Sequence, residues 1–375
     1  MNNNNTIAIN NTKPYERVMK KLFENNLVGE PHSIVAFDNE LGDRSVPIFL
    51  STNTTYETDY YIDSVDKMLI QRIAGLAIKK GVRFSAEGVF IPMTFSMKEL
   101  LSEVTKRDVT SNNYLSSVEE ILQRLVNLRG ISIYIDNECK FVDNTGKIKC
   151  TYKEESCSAL LNTSFKKITK RHEYTKKEYV NVIIILNEFP IIWAINAQCD
   201  NEIFYFDKDL FDFKSICTKK TDDLKKIPAR ESLLYQALKE CVVKEIHNRK
   251  YYLQSHRLIK KGKKGTYKIS LEKVGQSRWE KDRRINFISI LCKMGICDRN
   301  GELIGKYEKN SKTSLYKSLK KDITGILAAL KEKGYIDSYT EYKTRNACTL
   351  SFSGWIIDPS VKYDEKYRNK SIVNI

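Results

Sequence analysis

Residues 310–352, NSKTSLYKSLKKDITGILAALKEKGYIDSYTEYKTRNACTLSF, join a long run of helical period to two short runs of strand period. At 100° per residue, Leu315, Leu319, Ile323, Ile326 and Leu330 fall on one side of a helix. Thr313, Lys317, Lys320, Lys321 and Thr324 fall on the other, with no carboxylate before Asp322 at the edge. Gly334 ends the helix. YIDSYTEY and ACTLSFSGW read as strands, with KTRN (343–346) as the tip that turns Lys343 and Arg345 outward. The apolar side must pack on its own domain, which leaves a lysine-studded side facing out.

The same order of elements occurs earlier in the chain. In 60–80, Val65, Leu69, Ile73, Leu76 and Ile78 share a helical side. VFIPMTFSMKELLSEV (89–104) reads as a strand and then a helix capped at Ser96, with Glu99 three residues later in capping-box spacing. Residues 110–130 form a helix with Leu115, Val118, Leu122, Leu125 and Val126 inward and Gly130 as its stop. ISIYIDN and KIKCTYK follow as strands around the turn DNTG. In the second half, 228–246 is a helix opened by Pro228, with Leu234, Leu238, Cys241 and Val242 facing in. GTYKISLEKVG (265–275) matches the strand-then-short-helix step, and 310–352 matches the helix-then-hairpin step. Residues 276–309, with their own helix RINFISILCKMG, read as an insertion.

Three helices closed by a hairpin describe a winged helix, a variant of the helix-turn-helix, whose third helix can lie in the DNA major groove. The expected fold class is α+β: two tandem winged-helix (helix-turn-helix) domains with disordered termini. The expected boundaries are an N-terminal segment at 1–44 whose Asn-rich start is disordered, domain 1 at 45–200 and a polar linker at 201–226. Domain 2 at 227–355 carries the insertion 276–309, and a tail occupies 356–375.

Charge points the same way. Lys and Arg number 63 against 47 Asp and Glu, a net +16, which favours a polyanionic partner. The second-copy candidates for DNA contact are Lys309, Asn310, Ser311 and Lys312 at the helix start, Thr313, Lys317, Lys320 and Lys321 along it, and Lys343 and Arg345 on the hairpin. Asn310, Ser311 and Arg345 are the base-reading candidates. The first copy offers Lys106, Arg107, Asn112 and Asn113 at its helix start. Its helix exposes Ser116, Glu120, Gln123, Arg124 and Asn127, and Glu119 and Glu120 would repel phosphate, so protein contact is the competing use. Basic runs at 166–177, 219–226 and 257–264 either track a phosphate backbone or are solvated loops.

Other classes fit poorly. The most apolar run, VNVIIILNEFPIIWAI, carries Glu188 and Pro190 and is too short to cross a bilayer, and the N-terminus lacks a signal peptide's apolar core. A cytosolic, nucleoid- or plasmid-associated protein is expected. The nine cysteines are odd in number and lack CxxC spacing, and the four histidines lie in no ligand-like arrangement. No metal, cofactor or catalytic residue is expected. GKKGTYK does not complete a P-loop, and no histidine pair serves a tyrosine-nucleophile nuclease. The aromatics around FDKDLFDF (206–213) are expected in a core rather than on single-stranded bases.

The chain resembles plasmid replication initiators with tandem winged-helix domains, the TrfA-like group, related in architecture to the Rep_3 initiators. The residues carrying the resemblance are VPIFLSTNTTYETDYYIDSVDKMLIQRIAGLA, FIPMTFSMKELLSEV with NNYLSSVEEILQRLVNLRGISIYI, and KIPARESLLYQAL, TYKISLEKV and SLYKSLKKDITGILAALKEKGYIDSYTEY. The resemblance implies binding to direct repeats in a plasmid origin, melting of nearby AT-rich DNA, and recruitment of the host initiator and helicase. It also implies an exchange between homodimer and DNA-binding monomer. A transcription regulator built on the same folds, and a protein-interaction scaffold, are the alternatives that the residues leave open.

Overall fold

The computed structural model describes residues 6–11, 13–24, 37–41, 44–54, 61–104, 113–142, 148–176, 178–190, 193, 203–211, 232–255, 259–261, 267–269, 283–343 and 353–358. Helices and small antiparallel sheets alternate along the chain, an α+β fold. There are two compact units: among the described residues, one runs to Ile62 and from Asp66 to Tyr205, and the other comprises Asp63–Val65 and the chain from Phe206 to Asp358.

The first unit begins with β1 (Thr6–Asn10) and α1 (Lys13–Glu24). The Asn-rich start is therefore ordered from Thr6, because Ile7 and Ile9 of β1 and Tyr15 and Met19 of α1 are buried. Apolar residues spaced for a strand and then a helix repay the ordering entropy that asparagines alone would not. Next come β2 (Phe37–Leu41), β3 (Arg44–Thr54), α2 (Ser64–Lys80), β4 (Met93–Ser96), α3 (Met97–Val104) and α4 (Asn113–Arg129). β5 (Ile131–Val142), β6 (Ile148–Ala159), β7 (Thr163–Arg171) and β8 (Glu178–Leu186) follow. Val65, Met68, Leu69, Ile70, Ile73 and Ala74 of α2 are all buried, so this helix is the unit's central rod rather than a surface amphipath.

Two sheets divide the strands. β2, β3, β5 and β6 form one, in the order β2-β3-β5-β6, and β4, β8 and β7 form the other, in the order β4-β8-β7. The hairpin expected from ISIYIDN and KIKCTYK is present as β5–β6, but it belongs to the four-stranded sheet. The strand before α3 pairs instead with the later hairpin, Phe95 opposite Ile184 and Ser96 opposite Ile183. β8 supplies the reason: Val182, Ile184 and Leu186 alternate into the core and need a sheet partner on each side.

The two units meet in sequence at β9 (Ile203–Asp207), which pairs with β1. A one-turn 3-10 helix at Lys208–Phe211 follows, so the region expected as a linker is structured at 203–211. Phe206 is buried edge-on against Phe211 and His247, with ring centroids 6.1 and 5.3 Å away. Burial also pushes the Tyr205 phenol far above its ordinary value. These aromatics build core.

The second unit contains α5 (Leu233–Ser255), β10 (Ile259–Lys261), β11 (Tyr267–Ile269), β12 (Arg284–Asn286), α6 (Phe287–Lys293), α7 (Lys312–Glu332), β13 (Ser338–Lys343) and β14 (Ser353–Asp358). Its sheet order is β12-β14-β13. Each unit thus has a helix, a short strand running directly into a short helix, a long helix, and a hairpin whose second strand pairs with the short strand. The strand-to-helix joints match residue for residue. Ser96 ends β4 and caps α3, its Oγ accepting from the Glu99 N–H at 3.1 Å while Glu99 accepts back from the Ser96 N–H at 2.7 Å. Asn286 ends β12 and caps α6, its Oδ1 accepting from the Ile288 N–H at 2.8 Å.

This equivalence corrects the alignment expected from sequence. The short strand and short helix of the second unit are RIN and FISILCK, inside the segment expected to be an insertion. TYKIS instead contributes β11, half of the separate β10–β11 hairpin. Gly354 is required in β14: a Cβ there would lie 2.5 Å from the Ile285 carbonyl oxygen and 2.6 Å from the Tyr342 hydroxyl. β14 continues to Asp358, into the range expected as a tail.

Candidate nucleic-acid interface

α7 is held by its buried side. Tyr316, Leu319, Ile323, Ile326, Leu327, Ala329 and Leu330 are buried, and the Tyr316 hydroxyl donates to the Gly301 carbonyl at 2.6 Å. Leu315, expected inside, is only half-buried, and Tyr316 takes its place against Phe287, ring centroids 5.4 Å apart. Burial and contact with Cys297 push the Tyr316 phenol up, so it stays a neutral donor. Each buried aliphatic side chain contributes roughly 1.5–3 kcal/mol, so the orientation of the helix is fixed by its core side.

The opposite side is therefore set as well. Thr313, Ser314, Lys317, Ser318, Lys321, Gly325 and Ala328 form its exposed strip, which carries no carboxylate until Glu332, the last residue of the helix. Nothing lies within 4 Å of where a Cβ on Gly325 would be. From Thr313 to Lys321 the strip is about 12 Å long at 1.5 Å per residue. Small side chains between the lysines let the backbone approach another surface closely.

The expected cations of this helix divide into two groups. Lys309, Lys317 and Lys321 are exposed and make no ion pair among the described residues. Lys312 is bound to Glu302 at 2.6 Å, and Lys320 is held by Glu341 of β13. Thr324 spends its hydroxyl on the Lys320 carbonyl at 3.0 Å. Lys320 and Thr324 are thus tied to the fold rather than presented. Asn310 and Ser311 are exposed, and Ser311 is the N-cap but makes no side-chain capping bond. The first N–H groups of α7 and the positive end of its dipole face outward beside Lys309. Lys343 lies in β13 with its side chain outside the described residues, and Arg345 is outside them altogether.

In the first unit, Lys106, Arg107 and Asn112 fall outside the described residues, as does the side chain of Asn113, the first residue of α4. α4 itself differs from expectation at two positions. Arg124, expected outside, is buried: its guanidinium bonds the fully buried Asp66 carboxylate at 2.9 Å and Glu120 at 3.0 Å. Val126, expected inside, is 45% exposed. A periodicity count puts an arginine on the polar face, but it cannot show that a buried carboxylate on α2 needs a counter-charge. The exposed side of α4 then carries Glu119, Glu120, Gln123 and Val126, with Gln123 bonded to Asn127 at 3.2 Å.

Among comparisons with known proteins, no family model matches the chain, and no curated protein matches it. Two solved structures align over nearly its whole length. One is the crystal structure of domains 2–3 of RctB, at 11% identity and TM-score 0.37, covering 93% of this chain and all of the other. The second is a selenomethionine derivative of domains 2 and 3 of RctB, at 8% identity and TM-score 0.33, covering 92% and 99%.

A second cationic surface lies where the sequence suggested a charged loop. β7 is an edge strand, and Lys166, Lys167, Lys170 and Arg171 are all exposed along it. The sequence signal was available in TSFKKITKR facing VNVIIIL across a turn, but a strand with four cations in nine residues does not alternate like one that is half buried. Two thiols also lie together: Cys292 and Cys297 have sulfurs 3.8 Å apart, and Cys292 donates to the Asp298 carbonyl at 2.8 Å. No group of three or more metal-ligating side chains occurs among the described residues, and no described helix is long and apolar enough to cross a membrane.

Proposed function

We propose that both units are winged helices and that the chain is a sequence-specific duplex-DNA-binding protein acting by binding rather than catalysis. α7 enters the major groove, β13–β14 is the wing beside it, and Lys309, Lys317 and Lys321 meet phosphates. Asn310 and Ser311 stand at the end of the helix that first reaches base edges. The observation carrying this reading is the exposed strip of α7 from Thr313 to Ala328: cations and small residues, no carboxylate before Glu332 at the far end, and an N-terminus without a side-chain cap beside it. Lysines on an ordinary solvated face are interspersed with acids at helical spacing.

The proposed role is initiation of plasmid replication: binding to iterated origin repeats, promotion of melting in adjacent AT-rich DNA, and recruitment of the host initiator and helicase, with a homodimer as the storage form. Support comes from the resemblance in residues 45–350 and from the repetition of one strand order in two units of a single chain. Two DNA-binding units on one chain gain from effective concentration, since the second docks as an intramolecular event. Selection of bound fragments from the source replicon, followed by footprinting, tests the role. Direct repeats spaced by whole helical turns are expected, and a lone palindrome would make the protein a transcription regulator.

A further inference from the structure

We propose that the tip of the β7–β8 hairpin is a wedge that stacks on an unpaired base where duplex DNA opens, with Tyr174 as the stacking group. This rests on the reading that the partner is DNA, and it assigns the first unit a task distinct from groove binding.

The hairpin outruns its sheet. β4 ends at Ser96, opposite Ile183, whereas β7 and β8 continue to pair from Lys167–Val182 to Arg171–Glu178. These five further pairs project about 17 Å at 3.4 Å per residue. Alternation puts Lys166 and Lys170 on one face and Lys167 and Arg171 on the other, so the projection is cationic on both faces. Among the described residues none of these four, nor Lys176, makes an ion pair; the acids on the projection are Glu173 in the turn and Glu178, register-paired with Arg171.

At the tip, Tyr174 is 94% exposed, the highest value among the exposed large hydrophobic side chains described. Its turn is built to hold a shape. The Lys176 N–H donates to the His172 carbonyl at 2.8 Å, and the Thr175 N–H to His172 Nδ1 at 3.3 Å. Lys176 takes φ 55°, the one positive φ outside glycine among the described residues, a conformation that costs a lysine about 1–2 kcal/mol.

Charge on an edge strand also keeps it from pairing with another chain, which by itself explains lysines on β7. It does not explain an aromatic ring held in water on a tightened turn. A planar ring at the end of a cationic strand, tilted against the His172 ring with centroids 6.2 Å apart, fits a base that has lost its stacking neighbour. In a closed duplex every base is already stacked, so the gain appears only at a junction or bubble.

The test measures affinity by fluorescence anisotropy for a fully paired duplex and for the same sequence with about four central unpaired positions, using wild type, Tyr174→Ala and Tyr174→Phe. The expected result is a loss of about tenfold for Tyr174→Ala on the opened probe, retention by Tyr174→Phe, and less than a twofold change for both on the paired probe. A Tyr174→Ala protein that binds the opened probe as wild type does, or that weakens equally on both probes, overturns the wedge while leaving duplex binding by α7 intact. Wild type binding neither probe overturns the DNA reading and the wedge together.

Discussion

α4 and α7 occupy the same place in two copies of one strand order, and they use their outer sides in opposite ways. α7 sends its loose cations outward and ties Lys312 and Lys320 to Glu302 and Glu341. α4 turns Arg124 inward onto Asp66 and leaves Glu119 and Glu120 outside, with Arg129 exposed at its last residue. The hairpins reverse the pattern: β13 spends Glu341 on Lys320, whereas β7 is a ridge of unpaired cations. Position in a repeated architecture therefore does not fix which surface carries the charge. In the first unit a run of exposed cations lies on the hairpin strand β7, and in the second it lies on the long helix.

Five variants press on that contrast, from the largest expected effect to the smallest. Arg124→Ala removes the guanidinium that bonds the fully buried Asp66 carboxylate, so thermal or denaturant unfolding should show a loss of about 3–5 kcal/mol; a loss under 1 kcal/mol would mean that α4 does not depend on its inward arginine. Lys317→Glu with Lys321→Glu should weaken duplex binding by about 100-fold in a gel shift at moderate salt. Both side chains are exposed and unpaired, so the melting temperature should not move, and normal affinity would remove α7 from the interface. Gly354→Ala should cost about 1–3 kcal/mol through its clash with the Ile285 carbonyl and Tyr342.

The smallest effects test the equivalence of the two strand-to-helix joints. Ser96→Ala and Asn286→Ala should each cost about 1 kcal/mol, and a cost at one joint alone would break the match. The Ser96 effect should also depend on pH. Burial acts to raise the Glu99 carboxyl, but Lys80 and Ser96 outweigh it and hold the group below its ordinary value. A depressed carboxyl stabilises the fold above its unfolded pKa and loses that contribution as pH falls through the folded one. The difference between wild type and Ser96→Ala should therefore be full at pH 7 and shrink below about pH 4.

Much of this was legible in the sequence because it is local. The Ser96–Glu99 cap, the inward Leu319, Ile323, Ile326 and Leu330, and the recurrence of one element order all follow from spacing within a few residues. What failed was long-range. Two hairpins of the first unit follow α4, and only the pairing of β4 with β8, about 90 residues later, decides which of them closes the three-stranded sheet. RIN was hidden because a three-residue strand carries too little alternation to see, and its sheet partner lies some 70 residues away. At the candidate interface, helical periodicity located the lysines but could not tell those that reach solvent from those held by Glu302 and Glu341.

The claim beneath all of this is that the exposed lysines of α7 displace counterions from DNA phosphates. The direct measurement is duplex affinity against salt concentration for wild type and the Lys317→Glu, Lys321→Glu protein. With Lys309, Lys317 and Lys321 each on a phosphate, the wild-type log–log slope should be at least as steep as about −2.7, and the variant should lose about two units of it. A slope that the double substitution leaves unchanged would contradict the account.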